Sequence, residues 1–265
     1  MNPVTIVTAF FDINRAERGD GRTIDEYKEW IKRTLQLNCN LFIITEEKFK
    51  DFFLENRNSN YATYIKIVKF KDLHYYQYYD QMKEIIESDD YKRRIAHPNR
   101  VECVLPEYNI IQYSKFHCLQ MAIDRNPFES EFFLWMDAGC SRFFLDVDIS
   151  RPYPSAKGID TLRHSSDQFI IQKRHDLENF PIDDNFVWRA DNLLYGTMFG
   201  GNRWAIQSMA DSVEIVFREK MLNRQNVNNE QLALAMVWKQ SPFLFSLTNN
   251  APGYHLLLFK YLSLN

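Results

Sequence analysis

The sequence predicts an α/β domain in which a Rossmann-type sheet is flanked by helices, and three observations carry that prediction. Apolar β-rich runs alternate with amphipathic helical stretches through the first third of the chain. A continuous apolar run, Glu131-Phe132-Phe133-Leu134-Trp135-Met136, stops abruptly at Asp137-Ala138-Gly139. The composition, 45% hydrophobic and 25% charged over 265 residues, is that of a globular chain long enough to bury a core without staples.

Taken in order, Val4 to Phe11 reads as a first buried strand. Thr23-Ile24-Asp25-Glu26 has the spacing of a capping box, ahead of a helix with Tyr27, Trp30, Ile31 and Leu35 on one face. Asn40 to Thr45 is a second strand, Glu46 to Glu55 a second helix and Ala62 to Phe70 a third strand. Strand-helix-strand-helix-strand is the mononucleotide-binding half of a doubly wound sheet. Asp72 to Ile95 reads as an aromatic-rich helix, and Pro106 to Arg125 as a long helix with proline in its first turn. Arg151 to Asn185, with its Pro, Ser and Gly clusters, reads as irregular chain holding one short strand near Gln168 to Gln172. Trp204 to Leu222 and Gln231 to Trp238 are expected helices, and the C-terminal tail is apolar. With no repeat and no linker, the expectation is one domain: a nucleotide-binding half over 1–140 and an elaborated acceptor or catalytic half over 141–265.

Lys+Arg 32 against Asp+Glu 35 leaves a formal charge of −3, so no global positive field draws a polyanion, and nucleic acid is excluded as a main partner. Cys39, Cys103, Cys118 and Cys140 lack any C-x-x-C pairing and read as reduced thiols, which places the expected compartment in the cytoplasm. The N-terminus shows no leader pattern, and the longest apolar run, Leu232 to Trp238, is far short of a transmembrane span. Phe 21, Tyr 14 and Trp 5 make 15% of the chain aromatic, more than a core of this size needs, and suggest flat apolar platforms near the surface.

The strand that ends in Asp137 puts a carboxylate at the carboxyl edge of a parallel sheet, where open α/β folds bind ligands. Ala138 and Gly139 beside it permit close approach, and a carboxylate there suits Mg²⁺ or Mn²⁺ completed by a diphosphate and water. An Asp that merely closes a strand and starts a turn would look the same.

The stretches Val4-Thr5-Ile6-Val7-Thr8-Ala9-Phe10-Phe11, Tyr113-Ser114-Lys115-Phe116 and Phe133-Leu134-Trp135-Met136-Asp137-Ala138-Gly139 resemble the bacterial HtrL/YibB and WlaTC family, which is grouped with glycosyltransferases. The resemblance implies a GT-A-like Rossmann-type mixed sheet and a soluble enzyme that moves a sugar from a nucleotide-diphosphate sugar, UDP being the expected nucleotide, to a glycan or a lipid- or protein-linked glycan precursor. Asp137-Ala138-Gly139 would stand where the wider fold carries Asp-x-Asp, whose aspartates hold the metal and the donor ribose. The second aspartate is missing here, and Asp146 and Asp148 lie farther along. Tyr195-Gly196-Thr197-Met198-Phe199-Gly200-Gly201, followed by Asn229-Glu230-Gln231, is similar to the Phe-Gly-Gly and Asp-Glu segments of the blood-group-type retaining transferases. That likeness implies Glu230 as the catalytic carboxylate, with Gly200 and Gly201 beside the donor and acceptor sugars.

Other residues follow from what the chemistry asks. Sugar transfer builds positive charge on the ring and negative charge on the leaving diphosphate, so it calls for a cation and a carboxylate. Lys115 falls in register with Tyr108, Ile111, Leu119 and Ala122 on the long helix, an awkward place for a charge unless it points at an anion or snorkels. Arg15 follows the first strand, at the sheet edge where phosphates collect, and would equally serve as a solvated loop residue. The resemblance implies that Thr8, Ala9 and Phe10 hold the nucleoside; by composition alone they are core. Glu230 opens a helix that Asn228 is placed to cap, where the macrodipole alone would favour an acid. Asp191, preceding the Gly-rich segment, is a second candidate carboxylate for acceptor hydroxyls, and His255, after Asn249-Asn250-Ala251-Pro252-Gly253, is a candidate metal ligand with Asp137. The aromatic run Tyr75, Tyr76, Tyr78 and Tyr79 fits a packed helix and is left outside the site.

Two rivals use the same features. A noncatalytic nucleotide-sugar or glycan-binding protein would bind a nucleotide without turnover. A metal-dependent nucleotidyltransferase or phosphohydrolase would use the same carboxylate, yet neither G-x-x-x-x-G-K-[ST] nor G-x-G-x-x-G occurs.

Overall fold

A computed structural model describes residues 2–144, 147–165, 167–249 and 256–264. Its sheet is mixed and seven-stranded: β1 (Val4–Phe10), β2 (Asn40–Thr45), β3 (Thr63–Ile67), β4 (Phe132–Met136), β5 (Phe169–Lys173), β6 (Leu194–Asn202) and β7 (Phe245–Thr248), in the order β3-β2-β1-β4-β6-β5-β7. The first four are mutually parallel. β6 runs antiparallel to both β4 and β5, and β7 lies parallel to β5 at the edge.

The helices are α1 (Arg15–Arg18), α2 (Ile24–Thr34), α3 (Lys50–Asn56), α4 (Tyr79–Glu87), α5 (Asp89–Arg94), α6 (Pro106–Arg125), α7 (Ala156–Ser165), α8 (Arg203–Val216), α9 (Glu230–Gln240) and α10 (Leu257–Ser263). The expected capping box is formed: Glu26 N–H donates to Thr23 Oγ1 at 3.2 Å, and Thr23 N–H donates back to Glu26 Oε2 at 2.8 Å. The long helix has the expected bounds, Pro106–Arg125.

Both faces of the sheet are covered, because successive strand residues point to opposite sides. Val7, Phe42, Ile44, Phe133, Trp135, Phe169, Ile171 and Phe199 enter one core with residues of α6, α8 and α9. Ile6, Leu41, Ile43, Leu134, Met136 and Ile170 enter the other with residues of α2, α3 and α10. The aromatic excess is largely spent here. Phe116 stacks on Phe199 with centroids 5.3 Å apart, and Tyr75, Tyr113 and Phe217 pack at 4.4–5.3 Å.

Four expectations are corrected. Asp72 to Ile95 is not one helix: 3₁₀ turns Phe70–Asp72 and His74–Tyr78 precede α4, and Ser88 caps a separate α5 by accepting from Tyr91 N–H at 3.2 Å. The segment read as irregular contains α7. β6 and β7 were not foreseen. In β6 the glycines that imitate a loop are packing positions, since a Cβ on Gly200 would stand 2.1 Å from the Phe133 carbonyl oxygen. Asn229, not Asn228, caps α9 by accepting from Gln231 N–H at 3.1 Å.

The parallel half fixes where a ligand can go. From β1 the chain winds outward through β2 and β3, then returns to place β4 on the other side of β1. The crevice beyond the carboxyl ends of β1 and β4 is therefore the switch point of the sheet.

Candidate active site

A cleft opens at that point. Ala9, Phe10 and Phe11 from β1 and its end, Arg15 of α1, Tyr27 of α2, Tyr108, Gln112 and Lys115 of α6, Trp135 and the turn Asp137-Ala138-Gly139-Cys140, Arg142 and Thr197 line it. The turn is fastened to α2: Thr34 Oγ1 donates to the Ala138 carbonyl at 2.9 Å and Ser141 Oγ to the Trp30 carbonyl at 2.6 Å. Gly139 has an ordinary φ of −89°, and its missing side chain spares Trp30, whose ring a Cβ would approach to 3.0 Å.

The floor is a buried charge cluster. Lys115, 2% exposed, donates from Nζ to Glu230 Oε1 at 2.9 Å and to the Gly196 carbonyl at 2.9 Å, and stands 3.1 Å from Asp137 Oδ1. Trp135 Nε1–H adds a 2.8 Å bond to the same Asp137 oxygen. Burial works against the ammonium, but the two carboxylates overcome it and raise the Lys115 pKa above the ordinary lysine value. Burial pushes the Glu230 carboxyl up, with Lys115 opposing. Glu230 is fully buried and its Oε2 has no hydrogen-bond partner among the described residues. Gly196 is obligatory in this arrangement, since a Cβ there would meet Glu230 Oε1 at 2.2 Å.

The rim differs. Arg142 is exposed, lies 4.5 Å over Trp30 and 4.8 Å over Phe143, and forms no ion pair among the described residues. Its pKa is lowered by partial burial and by the neighbouring Arg22. Arg22 also lines the cleft, 3.5 Å from Asp20. Arg15 is already satisfied: it makes a two-pronged pair with Asp20 at 2.6 and 2.7 Å, donates to Tyr27 OH at 2.6 Å and lies 4.8 Å over the Tyr108 ring. Although burial is the largest influence on its pKa and opposes the charge, the Asp20 pairing raises it above the ordinary value.

Of the residues singled out from sequence, Ala9, Phe10, Arg15, Lys115, Asp137, Ala138 and Gly139 are brought together in the cleft. Others are not. Thr8 is buried in β1 and lines no cavity described here. Gly200 and Gly201 pair with Leu134 and Phe133 inside the sheet, where their small size admits β4 and Ala205 rather than a sugar. Glu230 lies behind Lys115 and does not line the cleft. Asp191 is exposed in the chain before β6 and lines neither cavity. His255 and Asp146 fall outside the described residues.

The model of the HtrL_YibB family, described as a bacterial protein of unknown function, matches residues 2–262. The chain belongs to this family. No curated protein matches it. Solved structures that align with this HtrL_YibB chain include mouse xyloside xylosyltransferase 1 in its apo form, at 11% identity over 92% of this chain and 84% of that one, with a TM-score of 0.43. The 4-diphosphocytidyl-2C-methyl-D-erythritol synthase of Anaerococcus prevotii aligns at 9% identity over 99% and 97%, TM-score 0.41. The inositol-1-phosphate CTP transferase of T. maritima aligns at 11% over 99% and 95%, TM-score 0.39. Likenesses at these scores carry no argument about chemistry in the HtrL_YibB chain.

The cleft also holds residues that the sequence does not single out. Arg142 follows Asp137 by five positions and Arg22 precedes the helix cap Thr23 by one, and both are readable as ordinary loop charges. Tyr108 and Gln112, in the helical register of Lys115, were the available signal that α6 turns a polar edge to the cleft.

Asp137 was expected to hold a divalent cation. Its Oδ1 is engaged by Trp135 and Lys115, and no trio of His, Cys, Asp and Glu ligands that includes it exists among the described residues. An ammonium 3.1 Å away opposes a dication at the same oxygen. Oδ2 is the Asp137 oxygen left for a cation completed by a diphosphate, the other expected ligand, His255, lies outside the described residues, and no step below is routed through a metal.

Proposed function

We propose that the chain is a glycosyltransferase that binds a nucleotide-diphosphate sugar, UDP-linked by preference, in the cleft beyond β1 and β4 and transfers the sugar to a glycan acceptor. The observation that carries this reading is the charge arrangement at the switch point: a cleft walled by aromatic rings has the arginines Arg22 and Arg142 at its rim and, at its floor, a buried lysine paired with the partly exposed Asp137 carboxylate.

The parts divide as the chemistry requires. Ala9 and Phe10 present the end of β1 to the base, with Tyr27 and Tyr108 supplying flat walls. Arg142 and Arg22 meet the diphosphate, and the Lys115 ammonium stands beneath it to stabilise the charge that grows as the sugar leaves. Asp137, 38% exposed on its side chain, keeps Oδ2 available to a sugar hydroxyl or to the acceptor hydroxyl's proton. Glu230 acts through Lys115, holding the ammonium in place rather than touching sugar.

The test is a panel of UDP- and GDP-sugars, with and without Mn²⁺, read by melting temperature and by product analysis with glycan acceptors. Stabilisation by a subset of donors, with sugar found on an acceptor, is the expected result. Stabilisation without turnover would indicate a noncatalytic binder, release of inorganic phosphate without transfer a phosphohydrolase, and no response to any donor would remove the reading.

A further inference from the structure

We propose that His74, His117 and Glu214 form a binding site for a zinc-type divalent metal ion, separate from the cleft. The three come from different elements: the 3₁₀ turn His74–Tyr78, the middle of α6 and the last turn of α8. One ligand atom from each lies within 4.8 Å of the others, and all three side chains are half-buried. Two imidazoles and a carboxylate make an N₂O donor set that suits Zn²⁺, with a fourth position for water.

The present contacts leave the group incomplete as a purely structural cluster. His74 Nε2 and Glu214 Oε2 are 3.1 Å apart, and the Tyr78 hydroxyl donates to Glu214 Oε1 at 3.4 Å, as an outer-sphere partner of a ligating carboxylate would. His117 gains no such bond: its Nδ1 is buried without a hydrogen-bond partner among the described residues. Tyr75, 1% exposed, packs its ring on both imidazoles at 5.2 and 5.5 Å, and its hydroxyl is likewise buried and unpartnered among the described residues. Two orphaned polar groups in one small neighbourhood point to an occupant.

The imidazoles are stacked, centroids 3.8 Å apart and planes 10° from parallel. A ring nitrogen binds metal in its own plane, so one ring must turn about its Cβ–Cγ bond for both to ligate. That turn separates the two stacked rings and replaces their contact with two metal–nitrogen bonds. The consequence would be mechanical as well as local. His117 lies two residues after Lys115, about 200° around α6 and so on its opposite face, and a bound ion would pin α6 to α8 and to the turn before α4.

The test needs no donor or acceptor, so its outcome is independent of the transferase reading. The full chain, stripped with chelator, is titrated with Zn²⁺ by calorimetry and with Co²⁺ by absorption. One ion per chain, a raised melting temperature and the intense ligand-field bands of a four-coordinate Co²⁺ site are expected. His117→Gln and Glu214→Gln should each weaken Zn²⁺ binding at least tenfold, while Asp137→Asn leaves it unchanged. Absence of binding, a solvated octahedral Co²⁺ spectrum, or equal affinity in both cluster variants would overturn the proposal. Should a variant fail to fold, the wild-type Co²⁺ spectrum still decides.

Discussion

The floor and the rim of the cleft carry the same kind of charge in opposite conditions. At the floor, Lys115 is 2% exposed and fully paired with Asp137, Glu230 and the Gly196 carbonyl. At the rim, Arg142 is exposed, rests on Trp30, and has no carboxylate among the described residues. A buried cation that lost its partners would destabilise the fold, whereas an exposed one can wait for an anion at little cost. The contrast teaches that the floor is built for position and the rim for capture, so substitutions in the two places should fail in different ways.

Lys115→Met gives the largest expected effect. It leaves Glu230 buried without its cation and should cost about 3–5 kcal/mol of stability, read as a lower denaturant midpoint. Arg142→Ala should do the reverse. Stability stays within about 0.5 kcal/mol, while affinity for a UDP-sugar falls roughly 10–100-fold as a charge-assisted phosphate contact of about 1.5–3 kcal/mol is lost. If Arg142→Ala unfolded the protein, or Lys115→Met only weakened donor binding, the division would collapse. Gly196→Ala adds no charge and removes none, yet its Cβ would displace Glu230 Oε1, and a loss of about 1–3 kcal/mol is expected. Full stability in that variant would show that Glu230 does not need its present place.

The smallest effect is in pH. The Lys115 pKa is raised above its ordinary 10.5 in the folded chain, chiefly against burial and by Asp137 and Glu230. A raised lysine contributes stability that is fully present below 10.5 and is lost as pH climbs through the folded value. The stability gap between wild type and Lys115→Met should therefore hold through neutral pH and narrow above about 10.5, which urea melts across the alkaline range would reveal. A gap that widens with alkali would contradict the pairing.

The two regions also differ in how far the sequence disclosed them. Local signals were readable: the Thr23 capping box, the Pro106 start of α6, and the apolar run that delivers Asp137 to the sheet edge. An apolar helical register exposed Lys115 as a charge in need of an anion, but not which one. Its partner Glu230 lies 115 residues away, and the short likeness that drew attention to Glu230 suggested contact with sugar rather than with lysine. Gly196, Gly200 and Gly201 hid β6, because glycines that admit close neighbours look the same in sequence as glycines that make a loop. The tyrosine run misled similarly: its apolar spacing is helical, while packing of Tyr75 against Tyr113 and Phe217 is met by a 3₁₀ turn.

Position and capture meet in one experiment, a crystal structure of the chain soaked with a UDP-sugar. The account predicts the base against Ala9 and Phe10, the diphosphate between Arg142 and the Lys115 ammonium, and the sugar facing Asp137, with Glu230 still bonded to Lys115. A nucleotide bound away from the ends of β1 and β4, or an empty cleft at saturating donor, would contradict it.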